Sequence, residues 1–123
     1  METIESNYKA MENSFINVLH EQSLFDLNLF NELIKAIIKI IENHDKLSNK
    51  DYNQITFQLF EIYSYTLKSF MWHHKKNDLF EIKNYESVFD DVYINRLEYL
   101  IKCFFYKDNN GILDYEDEIG KLN

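Results

Sequence analysis

Residues 27–41 read LNLFNELIKAIIKII, and their apolar positions decide the fold class. Leu27, Phe30, Leu33, Ile34, Ile37, Ile38 and Ile41 recur at steps of three and four. A helix completes a turn every 3.6 residues, so this spacing gathers them on one face. The face is wide, which marks a central helix with neighbours on more than one side. Ser23 or Asp26 is placed to cap its first turn.

Similar periods lie on both sides. Ile4, Tyr8, Met11, Phe15, Val18 and Leu19 form one stripe, predicting a first helix that ends between His20 and Gln22. After the polar break ENHDKLSNKD, Ser48 followed by Asp51 has the spacing of a capping box, with Asp in place of the usual Glu or Gln. The third helix then carries Tyr52, Ile55, Leu59, Ile62 and Thr66, with Phe60, Tyr63, Leu67, Phe70 and Met71 beside them, and runs to about Lys75. The last long helix holds Phe89, Val92, Tyr93, Leu97, Leu100, Ile101 and Phe104. Asp108-Asn109-Asn110-Gly111 ends it, with Gly111 as the left-handed cap. Short helical pieces are expected over 79–83 and 113–119.

The chain has 123 residues, no proline and only Gly111 and Gly120 as glycines. A β-rich fold needs more turn residues, and no stretch alternates strictly enough for a half-buried strand. These features predict an all-α fold: a single domain over 1–123, built as an antiparallel bundle of four main helices plus short ones. No basic-then-apolar leader is visible, and the longest apolar run, AIIKII, is too short to span a bilayer. A soluble cytoplasmic protein is expected.

The sequence offers little for catalysis. Two glycines cannot build a phosphate loop. Cys103 is the only cysteine and sits among Ile101, Phe104 and Phe105, the setting of a buried, inert thiol. His73 and His74 are adjacent, so on a helix they point about 100° apart and do not converge on one ion. They are read as a solvated helix end. Arg96 has no histidine following it at the spacing of HEPN-type ribonucleases. With Gly111 as its sixth position, the stretch from Tyr106 to Asp117 resembles an EF-hand loop: Asp108, Asn110 and Asp114 fall on ligand positions. Tyr106, however, stands where the first carboxylate belongs, and Asp117 replaces the bidentate Glu. The stretch is therefore read as a polar turn. No catalytic residue, metal or cofactor is expected.

Charge carries the remaining information. The net charge is -8. Residues 1–76 hold ten acids and eight Lys, while 77–118 hold eleven acids against Lys83, Arg96, Lys102 and Lys107. Such a surface repels phosphates, which disfavours nucleic acid, and it draws in cationic proteins. Tyr85, Tyr93, Tyr99, Tyr106 and Tyr115 are interleaved with the acids, and Tyr is enriched in binding interfaces. The residues expected to engage a partner are Glu86, Asp90, Asp91, Tyr106, Asp108, Asp114, Tyr115, Glu116, Asp117 and Glu118.

In overall character this small, acidic chain resembles the immunity proteins of bacterial toxin systems, such as those of contact-dependent growth inhibition. The resemblance implies an inhibitor that binds one cognate basic toxin, often a nuclease, and blocks its active site. Two other readings stay open: a phage-type inhibitor that imitates nucleic acid against a defence enzyme, and a helical dimerisation or regulatory module.

Overall fold

A computed structural model describes residues 1–77, 79–108 and 110. It is all-α, and no strand occurs among the described residues. The helices are α1 (Glu2–Tyr8), α2 (Phe15–Gln22), α3 (Leu27–Glu42), α4 (Asn49–His74) and α5 (Asn95–Tyr106). A 3-10 turn, His44–Lys46, joins α3 to α4, and a π-helical segment, Phe89–Ile94, leads into α5.

The expected first helix is two helices at an angle set by polar residues. Asn7 is buried; its side-chain oxygen accepts the Ile16 amide at 3.0 Å and its Nδ2 donates to the Thr3 carbonyl at 3.0 Å. Ala10 and Asn13 take positive φ values of 51° and 67°, and the Ser14 hydroxyl caps α2 by accepting the Asn17 amide. Side chains that bond the backbone in this way compete with continuous helix. The kink leaves Tyr8 and Met11 exposed, although the stripe placed them inside.

α3 is capped by Asp26, whose carboxylate accepts the Leu29 amide, and α4 by Ser48, whose hydroxyl accepts the Asp51 amide. Both caps satisfy amides that have no partner within the helix. The short helix expected over 79–83 does not form; that stretch is irregular. α5 ends at Tyr106, five residues before Gly111. Lys107 adopts the left-handed conformation, its amide bonds Phe104 O, and the Asp108 amide bonds Cys103 O. This is a Schellman ending built without glycine. Gly111 and the helix expected over 113–119 lie outside the described residues.

α1 and α2 together form one edge of the bundle, between α3 and α4; α5 fills the opposite edge between the same two helices. The Tyr52 hydroxyl, at the start of α4, donates to the carbonyls of Phe104 and Phe105, at the end of α5. His74, at the end of α4, meets Asp90 at the head of the π segment, so α4 and α5 are antiparallel. Tyr8 packs edge-on against Phe57, and Met1 lies by Asp51, so α1 runs alongside α4 in the same direction. Phe30 meets Tyr93 near the start of both α3 and the π–α5 rod, another parallel pair. Successive rods alternate in direction along the chain, while around the bundle parallel and antiparallel neighbours alternate.

The core is continuous. Leu33, Ile37, Ile41, Leu59, Leu97 and Phe104 are fully buried along its length. At one end Phe25 stacks on Phe89 with centroids 4.3 Å apart, and touches Phe15, Phe30 and Phe70. Phe60 and Met71, expected beside the core, face solvent at 56% and 67% exposure.

Candidate functional site

The described candidate residues fall into two groups. Glu86, Asp90 and Asp91 lie at the head of the π segment, where Glu86 and Asp91 are exposed and Asp90 is half-buried. Tyr106 and Asp108 lie at the far end of α5, both exposed. The rod between them spans 89–106, roughly 25 Å at helical rise, so the two groups occupy opposite ends of the bundle. Asp114, Tyr115, Glu116, Asp117 and Glu118 lie outside the described residues.

The head of the π segment is the more elaborate of the two ends. A π turn widens the helix by one residue, which lets Phe89, Tyr93 and Ile94 all bury. Asp90 and Asp91 are left on the outer side of this anchored turn, and the Asn95 side chain donates to the Asp91 carbonyl at 2.9 Å. His74 arrives from the end of α4, and its Nε2 lies 2.7 Å from Asp90 Oδ2. His73 faces the other way. Its Nδ1 accepts the Ile82 amide at 2.9 Å and its ring stacks on Tyr85 at 4.3 Å. With Nδ1 accepting, the proton of a neutral His73 sits on Nε2.

Tyr85 stands between these groups, with its ring edge-on to His74, Phe70 and Phe89. Its hydroxyl is pushed up to about 12 by burial, then by the Asp90 carboxylate and the charge of Asp91. At neutral pH it is therefore an un-ionised donor beside a carboxylate. The two histidines do diverge, as their adjacency required; His74 is exposed at the helix end, as read, though held by Asp90, while His73 is half-buried. His74 and Tyr85 belong to the acidic site; the sequence set Tyr85 among the tyrosines interleaved with the acids, but neither was among the residues expected to engage a partner. Their only signal was chemical type, because the contact closes across an irregular loop with no period to read.

The arrangement can offer carboxylates, a phenol and an imidazole to a partner from a fixed platform. Among the described residues, no group of three or more His, Cys, Asp or Glu could hold a metal ion. Cys103 is buried, as its apolar neighbours predicted. Arg96 is also buried, its guanidinium 5.2 Å from the Tyr93 ring centre. A cleft of about 280 Å³ opens where α1, α2 and α4 meet. His20 Nδ1 and the Tyr65 hydroxyl cross its wall at 2.8 Å. None of the expected partner-binding acids lines it.

The chain is thus an all-α protein, and no helix among its described residues is long and apolar enough to cross a membrane. It matches no protein-family model, and neither curated proteins nor solved structures offer a match to it.

Proposed function

We propose that the chain is an immunity-type inhibitor of the bacterial cytoplasm, which binds a cognate basic toxin and keeps its active surface from its substrate. The observation that carries this reading is the charge of the platform around Tyr85. Between residues 79 and 95 stand Glu81, Glu86, Asp90 and Asp91 against Lys83 alone. Carboxylates on a rigid turn need no ordering on contact, and like charges at that density steer a cationic partner into register. A nuclease is the fitting class of toxin, because a cleft built to hold phosphates is cationic and accepts carboxylates in their place. The inhibitor performs no chemistry in this reading.

The test reverses exposed acids without touching the core. Glu86→Lys with Asp91→Lys should leave the helical dichroism unchanged and slow association with the toxin encoded beside the chain. Dissociation should change less, because exposed charges act mostly on the encounter. A second variant reverses Asp114, Glu116, Asp117 and Glu118 to Lys. Full protection of toxin-expressing cells by both variants would overturn the reading.

A further inference from the structure

The outer face of α4 carries an apolar seam that the fold covers only in part, Leu67 packing against the core and Phe57 meeting Tyr8. Phe57, Phe60, Leu67 and Met71 lie along it; Phe57, Phe60 and Met71 are 51%, 56% and 67% exposed, and Leu67 is half-buried. With Ser64 between them, these positions step by three, four, three and four residues. That is the 3.5-residue repeat of a helix seam that packs on another helix, superimposed on the 3.6-residue pattern with which α4 faces its own core. Three large side chains aligned on one helix exceed the scattered exposure normal for a surface. Tyr8 packs edge-on against Phe57, with ring centroids 5.9 Å apart, and extends the patch at one end.

The flanking charges identify the occupant. Glu61 and Lys68 stand on the same side of the seam, one helical step before and one after its midpoint at Ser64. Both are exposed, and neither takes part in an ion pair among the described residues. A two-fold axis passing beside Ser64 would bring each Glu61 next to the partner's Lys68 and each Phe57 opposite the partner's Met71. In a parallel pairing the same flank of each helix lies on opposite sides of the seam, so neither Glu61 nor Lys68 would meet a charge on the partner. The charge order is therefore complementary to itself only when the second helix is reversed. Ser64, the small residue at the crossing point, lets the two backbones approach. Sulfur against an aromatic ring, at both ends, is a favourable contact.

We infer that the chain forms a symmetric dimer through α4, packed antiparallel on the α4 of a second copy. The contact is isologous, so it closes at two subunits and does not propagate. This inference stands apart from the inhibitor reading and is tested by a different experiment.

Analytical ultracentrifugation of the full chain over a concentration series tests it. The expected species has twice the 15.0 kDa chain mass. Phe60→Asp should return it to the monomer mass, with helical dichroism preserved because the side chain lies outside the core. Glu61→Lys alone, and Lys68→Glu alone, each set like charges together and should weaken dimerisation at least tenfold. Combining them restores the opposite-charge order and should restore the dimer. Ser64→Cys should cross-link the two copies under mild oxidation, whereas Asn53→Cys, far from the axis, should not. A monomer at every concentration up to the solubility limit overturns the inference. So does a dimer that survives Phe60→Asp or that the double charge swap fails to rescue.

Discussion

Asn84 and Phe25 exchange a pair of hydrogen bonds across 59 residues of sequence: the Phe25 amide donates to Asn84 Oδ1, and Asn84 Nδ2 donates to the Phe25 carbonyl, each at 2.9 Å. One side-chain amide thus does for Phe25 what a neighbouring strand would do. The chain between α2 and α3 has no helical partners of its own, and Phe25 itself is 1% exposed. The loop before the π segment is pinned there too, through the Lys83 amide on the Ser23 carbonyl at 2.8 Å. Asn84→Ala strands a buried amide and a carbonyl together and should cost about 2 kcal/mol. Asn84→Asp keeps the acceptor but turns a carboxylate oxygen on the Phe25 carbonyl, so it should cost at least as much. Denaturant melts of the two variants check this order; equal stability of both with the parent would show that water replaces the pair.

Ser23 closes α2 in the left-handed conformation, at φ 56° and ψ 37°. A β-carbon there crowds the following carbonyl, at about 1 kcal/mol or more, and glycine escapes this. Ser23→Gly should therefore raise stability by roughly 0.5–1 kcal/mol after its extra freedom in the unfolded chain is deducted. Thermal melting gives the answer. A lower midpoint would mean that the Ser23 side chain contributes more than its backbone strain costs.

Much of this fold can be read from spacing alone. α3, α4 and α5 each repeat at helical period for three turns or more, and Asp26 and Ser48 mark two starts with the side chains that cap them. The break between α1 and α2 could not be read in that way, because the apolar stripe carries straight across it. Asn7 made the difference, through a bond to Ile16 nine residues on. α4 misled in the other direction. It is apolar nearly all round, so Phe60 and Met71 looked like core, and only the placement of α1 and α5 shows which sides are covered. The candidate site was legible as charge but not as geometry. Asp90 announced itself as an acid, whereas its pairing with His74 depends on where the irregular loop returns the chain.

The packing at Phe25 should dominate the mutational landscape. Its ring stacks on Phe89 and touches Phe15, Phe30 and Phe70, so it joins α2, α3, α4 and the π segment at one point. Phe25→Ala leaves a cavity that four elements would have to collapse to fill, and should cost about 4 kcal/mol. Phe25→Leu keeps most of the volume and loses the ring contacts, for about 1–2 kcal/mol. Chemical denaturation of both variants checks the ratio.

Tyr63 and Glu98 give the molecule a pH signature at both extremes. The Tyr63 hydroxyl, on α4, donates to Glu98 Oε2 on α5 at 2.7 Å. Burial, followed by that bond and the carboxylate's charge, pushes Tyr63 up to about 12. The same bond, followed by the Lys102 ammonium, holds Glu98 below its ordinary value against the opposing effect of burial. The folded state thus prefers a neutral phenol and an ionised carboxylate. The phenol's contribution is complete below the ordinary tyrosine value of 10.0 and is lost as pH rises through about 12. The carboxylate's contribution is complete above its unfolded value and is lost as pH falls through the lowered one. Tyr63→Phe removes both at once. It should cost about 1 kcal/mol at neutral pH, a modest figure because both groups are partly wet. The difference from the parent should be greatest from roughly pH 5 to 9 and shrink on either side. Tyr85 also titrates at about 12, so the alkaline loss should be reduced in the variant and not abolished. Urea melts across pH measure the difference, and tyrosinate absorbance counts the late-ionising phenols, which should fall by one. A stability difference that does not vary with pH would mean that the Tyr63 hydroxyl acts independently of its own ionisation and of the Glu98 charge.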